Sequence, residues 1–120
     1  MVAGMSRANR LRVDGGVFHL THRCHNRAFL LKFARDRDAY RAKARERLQQ
    51  FDVSVLDYCV TSNHVHLLVD ASERLEVSGL MREVASEFAR AYNQRKDWAN
   101  SFWGDNYRAT LMHRNCADHS

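Results

Sequence analysis

Two helical and four strand-like patterns in the order β-α-β-β-α-β predict an α+β fold: a four-stranded antiparallel sheet with both helices on one face. Three observations predict it. The strand-like runs 53–60 and 64–70 are separated only by Thr61-Ser62-Asn63, too short a link for a parallel crossover, so they form an antiparallel hairpin. Two helical patterns, residues 35–50 and 75–96, each show a single apolar stripe. Strand-like segments at 17–24 and 107–112 stand before the first helix and after the second. The arrangement is ferredoxin-like, and 120 residues favour one domain.

Residues 1–14 carry Arg7, Arg10 and Arg12 with little apolar periodicity and read as a basic arm, closed by Gly15-Gly16. The domain then spans residues 15–112. In the first strand, Val17, His19, Thr21 and Arg23 share one face, and Phe18, Leu20, His22 and Cys24 the other. Polar residues on both faces are unusual for a plain core strand, and one set suits a substrate. The first helix has Asp36 and Asp38 near its start, where the helix dipole favours negative charge. Its stripe is Tyr40, Ala44, Leu48 and Phe51.

Residues 53–60 are apolar on parts of both faces, which predicts a central strand. The next strand carries His64 and His66 on one face and Val65, Leu67 and Val69 on the other. The second helix has the stripe Val77, Leu80, Met81, Val84, Phe88, Ala91 and Tyr92, and Gly79 weakens it by about 1 kcal/mol relative to Ala. An aromatic turn, Phe102-Trp103-Gly104-Asp105-Asn106, leads to the last strand, and residues 113–120 read as an unstructured tail.

Charge is uneven. Residues 1–50 hold twelve Lys or Arg against four Asp or Glu, whereas residues 51–120 hold seven against ten. A basic half of this kind points to a polyanion or to a solvated helix face. No window approaches the roughly 18–20 apolar residues of a membrane span, and no signal-peptide pattern opens the chain, so a cytoplasmic protein without a membrane partner is expected. Cys24, Cys59 and Cys116 are odd in number and widely spaced, which suits reduced thiols.

Two imidazoles one residue apart on a strand form half of a divalent-metal site, although the same spacing also occurs in hydrogen-bonded surface histidines. A cation held there could sit on phosphate oxygens, with Mg²⁺ or Mn²⁺ completing its shell from solvent and substrate. A zinc protein built from Cys24, His25, Cys59, His64 and His66 is a third alternative, but no C-x-x-C pair supports it.

The run from Tyr58 to Val69 (Tyr58-Cys59-Val60-Thr61-Ser62-Asn63-His64-Val65-His66-Leu67-Leu68-Val69) resembles the His–hydrophobic–His motif of the tyrosine transposases of single-strand insertion sequences, and more narrowly the REP-associated tyrosine transposases. Phe18-His19-Leu20-Thr21-His22-Arg23 with Asn26-Arg27, residues 88–95, and residues 102–111 are similar to further segments of that family, in the same order. The resemblance implies an HUH endonuclease acting on single-stranded DNA beside a hairpin, with His64 and His66 binding a divalent cation, Mg²⁺ or Mn²⁺. It also implies a homodimer. Arg12, Arg23, Asn26 and Arg27 are the expected DNA contacts, and His19 lies near the metal or phosphate or is a hydrogen-bonded sheet histidine. Trp103 and Phe102 stack on an unpaired base or close the core.

The family's nucleophilic tyrosine lies on a further helix and is followed four residues later by Asn or Gln as a third metal ligand. No Tyr-x-x-x-Asn/Gln pattern follows residue 111. Three expectations remain open: a truncated remnant without cleavage activity, one part of a longer protein, or substitution by Tyr92 or Tyr107. A non-catalytic DNA-hairpin-binding module is the alternative function.

Overall fold

The computed structural model describes residues 15–114. Strand β1 (Gly16–Arg23) passes through a 3₁₀ turn (His25–Arg27) to helix α1 (Ala34–Leu48). The hairpin of β2 (Val53–Val60) and β3 (His64–Ala71) follows, then helix α2 (Arg74–Lys96) and strand β4 (Arg108–Arg114). The sheet order is β2-β3-β1-β4, with every neighbouring pair antiparallel. This is the expected ferredoxin-like arrangement. No helix among the described residues is long and apolar enough to cross a membrane.

Two expectations are corrected. β2 is an edge strand, not a central one: the central pair is β3 and β1. A bulge between Val55 and Asp57 leaves Leu56 as the extra residue and turns Tyr58 to the helix side, opposite Leu67, yet at the sheet edge both Leu56 and Tyr58 stay exposed. The last strand also continues two residues further than its pattern suggests. Pairing with β1 extends past a bulge, matching Val17 with His113 and Gly16 with Arg114.

Period-two alternation decides which face of the sheet is buried. Phe18 and Leu20 of β1, Cys24 just after it, and Val65, Leu67, Val69 and Ala71 of β3 lie under the helices, each at most 5% exposed. On α2 the stripe Val77, Leu80, Met81, Val84, Phe88 and Tyr92 is buried as its spacing requires, while Ala91 at its edge is exposed. α1 buries only Tyr40 and Asp36, with Ala44, Leu48 and Phe51 packed partly against the core. Among the described residues no helix lies on the other face of the sheet, which carries His19, Thr21, Arg23, His64 and His66 opposite that buried set.

The helices are also joined by charge. Asp36 is fully buried and meets Arg95 Nη2 at 2.6 Å and Lys96 Nζ at 2.9 Å, both from the last turn of α2. Burial alone would raise the Asp36 carboxyl, but hydrogen bonds and charge from Lys96 and Arg95 outweigh it and hold the group below the usual carboxylate value.

Gly15 marks the entry to β1 by a close approach of two backbones. A Cβ there would stand 2.2 Å from the Ser72 carbonyl oxygen and 2.8 Å from that of Ala71. Gly15→Ala is therefore expected to lower stability by about 1–3 kcal/mol, as overpacking does, and urea unfolding measures it.

Candidate metal centre and nucleic-acid interface

The hairpin turn and the 3₁₀ turn are fastened together before any functional side chain is considered. Cys24 N donates to Asn63 O at 2.9 Å, Leu31 N to Ser62 O at 2.8 Å, and Asn63 Nδ2 to Arg27 O at 3.3 Å. The aromatic turn is tied to the same end of β1: His25 N donates to Phe102 O and Gly104 N to Arg23 O. Three chain-distant loops thus meet where β1 ends and β3 begins.

β3 projects His64 and His66 from the open face, with ring centroids 4.5 Å apart. The pairing register sets Arg23 beside His64, and Thr21 beside His66. Across β1, Arg108 of β4 is paired with Thr21, which extends the row to Arg108-Thr21-His66. Cys59, exposed on β2, pairs with His66 from the other side.

His64 is held by its turn. Its Nδ1 lies 2.8 Å from Asn63 Oδ1 and 3.0 Å from Thr61 Oγ1. Asn63 Nδ2 is engaged by the Arg27 carbonyl, so Oδ1 is the amide atom facing the ring, and it can only accept. Nδ1 of His64 therefore carries the proton and Nε2 keeps a bare lone pair, the form a metal ligand needs. His66 Nδ1 lies 3.1 Å from His19 Nε2 and 3.5 Å from Thr21 Oγ1.

Burial lowers the His64 pKa, helped by the charges of His66 and Arg23. His66 is likewise lowered, by burial and then by His19 and Arg23. Both shifts favour the neutral, ligating form down to lower pH.

An open cavity of about 620 Å³ adjoins His66, lined also by Thr21, Arg23, Asn26, Arg27 and Arg108 among others. Arg23, Arg27 and Arg108 are exposed, so their charge faces solvent. Asn26 and Arg27 both adopt left-handed backbone, with φ of 54° and 55°. Asn tolerates that region, whereas an arginine there carries strain of roughly 1–3 kcal/mol. Arg27→Gly is therefore expected to leave stability unchanged or raise it by up to about 1 kcal/mol while weakening binding to a single-stranded oligonucleotide. Thermal unfolding and fluorescence anisotropy measure the two effects separately.

The structure thus brings together His64, His66, Arg23, Asn26 and Arg27, places His19 in hydrogen-bond contact with His66, and adds Arg108. Arg12 lies outside the described residues. Trp103 is used in packing: its ring stacks on His22, with centroids 4.0 Å apart, and its Nε1 donates to Ala85 O at 2.9 Å. Phe102 is buried between Phe88 and Tyr92. Both close the core, and neither ring is held out for a base.

Tyr92 and Tyr107 are separated from the histidine pair by the sheet. Tyr92 is buried on α2 under the helix face, and Tyr107 meets the edge of His22, which points to that same face. Burial raises the phenol pKa of both, the direction opposite to an activated nucleophile. Tyr40 is fully buried, and Tyr58 stands over the helix side, 5.9 Å from the Arg41 guanidinium. Of the four tyrosines of this sequence, Tyr40, Tyr92 and Tyr107 lie on the helix side of the sheet, whereas Tyr58 on the edge strand also lines a shallow cavity with His19 and His66.

The zinc arrangement is also corrected. Cys24 points into the core with its thiol pushed up to about 12 by burial, so it offers no thiolate. Among the described residues no three His, Cys, Asp or Glu side chains are placed together to hold a metal ion. Two imidazoles beside an arginine-lined cavity fit a cation that takes its remaining ligands from phosphate and water, as Mg²⁺ and Mn²⁺ do, better than a closed protein cage.

Residues 12–118 match the model of the family described as "Transposase IS200 like". The chain belongs to the IS200-like transposase family. Among solved structures, this IS200-like chain is similar to a REP-associated tyrosine transposase bound to a REP hairpin, with TM-score 0.67 and 18% identity over 92% of this chain. It spans 64% of the length of that protein. It is also similar to a protein from Deinococcus radiodurans assigned as a transposase, with TM-score 0.68 and 17% identity, over 87% of this chain and 84% of the other. At these identities the likeness is one of fold. No curated protein matches the chain by sequence.

Proposed function

We propose that this IS200-like transposase chain binds single-stranded DNA beside a hairpin across the open face of its sheet, with His64 and His66 holding Mg²⁺ or Mn²⁺ against one phosphate. The observation that carries this reading is the row Arg108-Thr21-His66, which lines one cavity together with Arg23, itself paired with His64. Bound there, the cation would neutralise charge on the non-bridging phosphate oxygens and polarise the phosphorus towards attack. Arg23 and Arg108 flank the pair and supply cationic hydrogen-bond donors to the same or an adjacent phosphate. Arg27 and Asn26 extend the contact along the backbone. The hairpin-bound relative supports the nucleic-acid class.

In this reading the 120 residues supply the metal arm and the DNA platform of a strand-cleaving and joining site. Tyr40, Tyr92 and Tyr107 lie across the sheet from the histidine pair, and the part of the reaction assigned to these residues is hairpin binding. Incubation with a labelled hairpin oligonucleotide carrying a single-stranded flank, in Mn²⁺, tests this. Saturable, salt-sensitive binding without a covalent adduct is expected. Absence of binding at about 50–100 mM salt would sink the DNA reading, since phosphate contacts dominate such complexes. An adduct lost on Tyr92→Phe or Tyr107→Phe would overturn the assignment of the tyrosines.

A homodimer belongs to the same proposal. The exposed β2 edge with Leu56 and Tyr58 offers the surface, and sedimentation showing only monomer at high concentration would count against it.

A further inference from the structure

We propose that His19 is the positioning residue of the histidine pair: it accepts the His66 Nδ1–H hydrogen bond and so leaves His66 Nε2 bare for a metal. The inference rests on the reading of His64 and His66 as metal-holding residues, and it assigns a role to a histidine outside the His-x-His motif.

The geometry is specific. His19 on β1 is diagonal to His66 on β3: the register pairs His19 with Leu68 and His66 with Thr21, and both imidazoles leave the open face. His19 Nε2 and His66 Nδ1 are 3.1 Å apart, and the ring planes are 3° from parallel with centroids 5.2 Å apart. Parallel rings at that separation, with nitrogens in contact, share an edge-to-edge N–H···N hydrogen bond. One proton lies between the two nitrogens when both rings are neutral.

Its owner decides what His66 can do. With the proton on His66 Nδ1, Nε2 has a free lone pair. With the proton on His19 Nε2, His66 must carry its own proton on Nε2 and cannot ligate. Two features favour the first arrangement. The free edge of His66 faces a cavity lined by Arg23, Arg27 and Arg108, and a bare lone pair is stabilised by cations there whereas an N–H is repelled. The partner histidine is already in that form, because Asn63 Oδ1 at 2.8 Å can only accept from His64 Nδ1. Each histidine then has its own orienting acceptor, an amide oxygen for His64 and an imidazole nitrogen for His66. Ligating histidines commonly depend on such acceptors for ring orientation and basicity. Thr21 Oγ1, at 3.5 Å, is a poorer substitute at the limit of hydrogen bonding.

The test reads the tautomer directly. Long-range ¹H–¹⁵N correlation spectra of the metal-free protein at about pH 8, where imidazoles are neutral, should show His66 as the Nδ1–H form. In His19→Leu the form should shift towards Nε2–H, and Mn²⁺ affinity should fall about tenfold, the lower end of such losses because Thr21 remains. His19→Gln keeps an acceptor oxygen and should restore both. His66 found as Nε2–H in the wild type, or a tautomer and Mn²⁺ affinity unmoved by His19→Leu, would overturn the proposal. If His19→Leu fails to fold, the wild-type tautomer and the His19→Gln spectra decide it. A wild type that shows the Nδ1–H form but binds no Mn²⁺ would sink the metal reading and leave the tautomer assignment standing.

Discussion

Replacing His64 and His66 together with alanine is expected to lower Mn²⁺ affinity at least 100-fold and to remove the Mn²⁺-dependent part of DNA binding, while metal-free DNA binding changes little. The two imidazoles are the only described side chains assigned to the ion, because no group of three His, Cys, Asp or Glu among the described residues is arranged to hold a metal, and His19 meets the Nδ1 edge of His66. Each single replacement should leave one weak ligand and lose most of the affinity, so the double variant should be only slightly worse than either single one. Fold stability should be little affected, since both side chains are part-exposed on the open face and Val65, Leu67 and Val69 anchor the strand from the other side. The contrast is with Arg23→Ala and Arg108→Ala, which should weaken DNA binding with or without metal and reduce its salt dependence by about one phosphate contact each. Isothermal titration with Mn²⁺ and anisotropy with a fluorescent hairpin separate the two patterns.

Asp36→Ala should be the most damaging single substitution away from the site, costing about 2–3 kcal/mol in urea unfolding. The carboxylate is fully buried and serves both Arg95 and Lys96, which tie the start of α1 to the end of α2. Removing one partner of a buried ion pair typically costs about 3–5 kcal/mol. Arg95 and Lys96 are 38% and 30% exposed, so water screens the charges left behind and the lower figure applies. The pH dependence follows from the lowered carboxyl value in the fold. A depressed folded pKa means that the stabilisation is complete above the unfolded value, about 3.9, and is lost as pH falls through the folded value. Wild type should therefore lose stability in that acid range faster than Asp36→Ala, and the two unfolding curves should converge there.

The histidine face was legible in the sequence because it depends only on alternation along one strand. With His64 and His66 on one side, Val65, Leu67 and Val69 must take the other. The role of Asp36 was not legible. Near a helix start it reads as a solvated dipole partner, and its real partners lie 59 and 60 residues away on another helix. The contact of His19 with His66 likewise depends on how β1 and β3 are registered, which no local spacing fixes. Arg108 could have been found: alternation in the last strand, combined with the ferredoxin-like sheet order, puts it on the open face beside Thr21. The edge position of β2 was hidden because the bulge at Leu56 spreads apolar residues over both faces of the strand, the pattern of a central one.

A divalent cation held by two histidines on the open sheet face, next to bound DNA, would relax the nuclei nearest to it. Paramagnetic broadening by Mn²⁺ tests that placement most directly, using protein labelled with ¹⁵N at its histidines, with and without a hairpin oligonucleotide carrying a single-stranded flank. At low Mn²⁺ the His64 and His66 ring signals should be lost selectively, with weaker broadening of His19 and an intact signal from His22 on the far side of the sheet. Less Mn²⁺ should be needed once the oligonucleotide is bound. Broadening that spares His64 and His66, or that spreads evenly over all the histidines with no effect of the oligonucleotide, would contradict it.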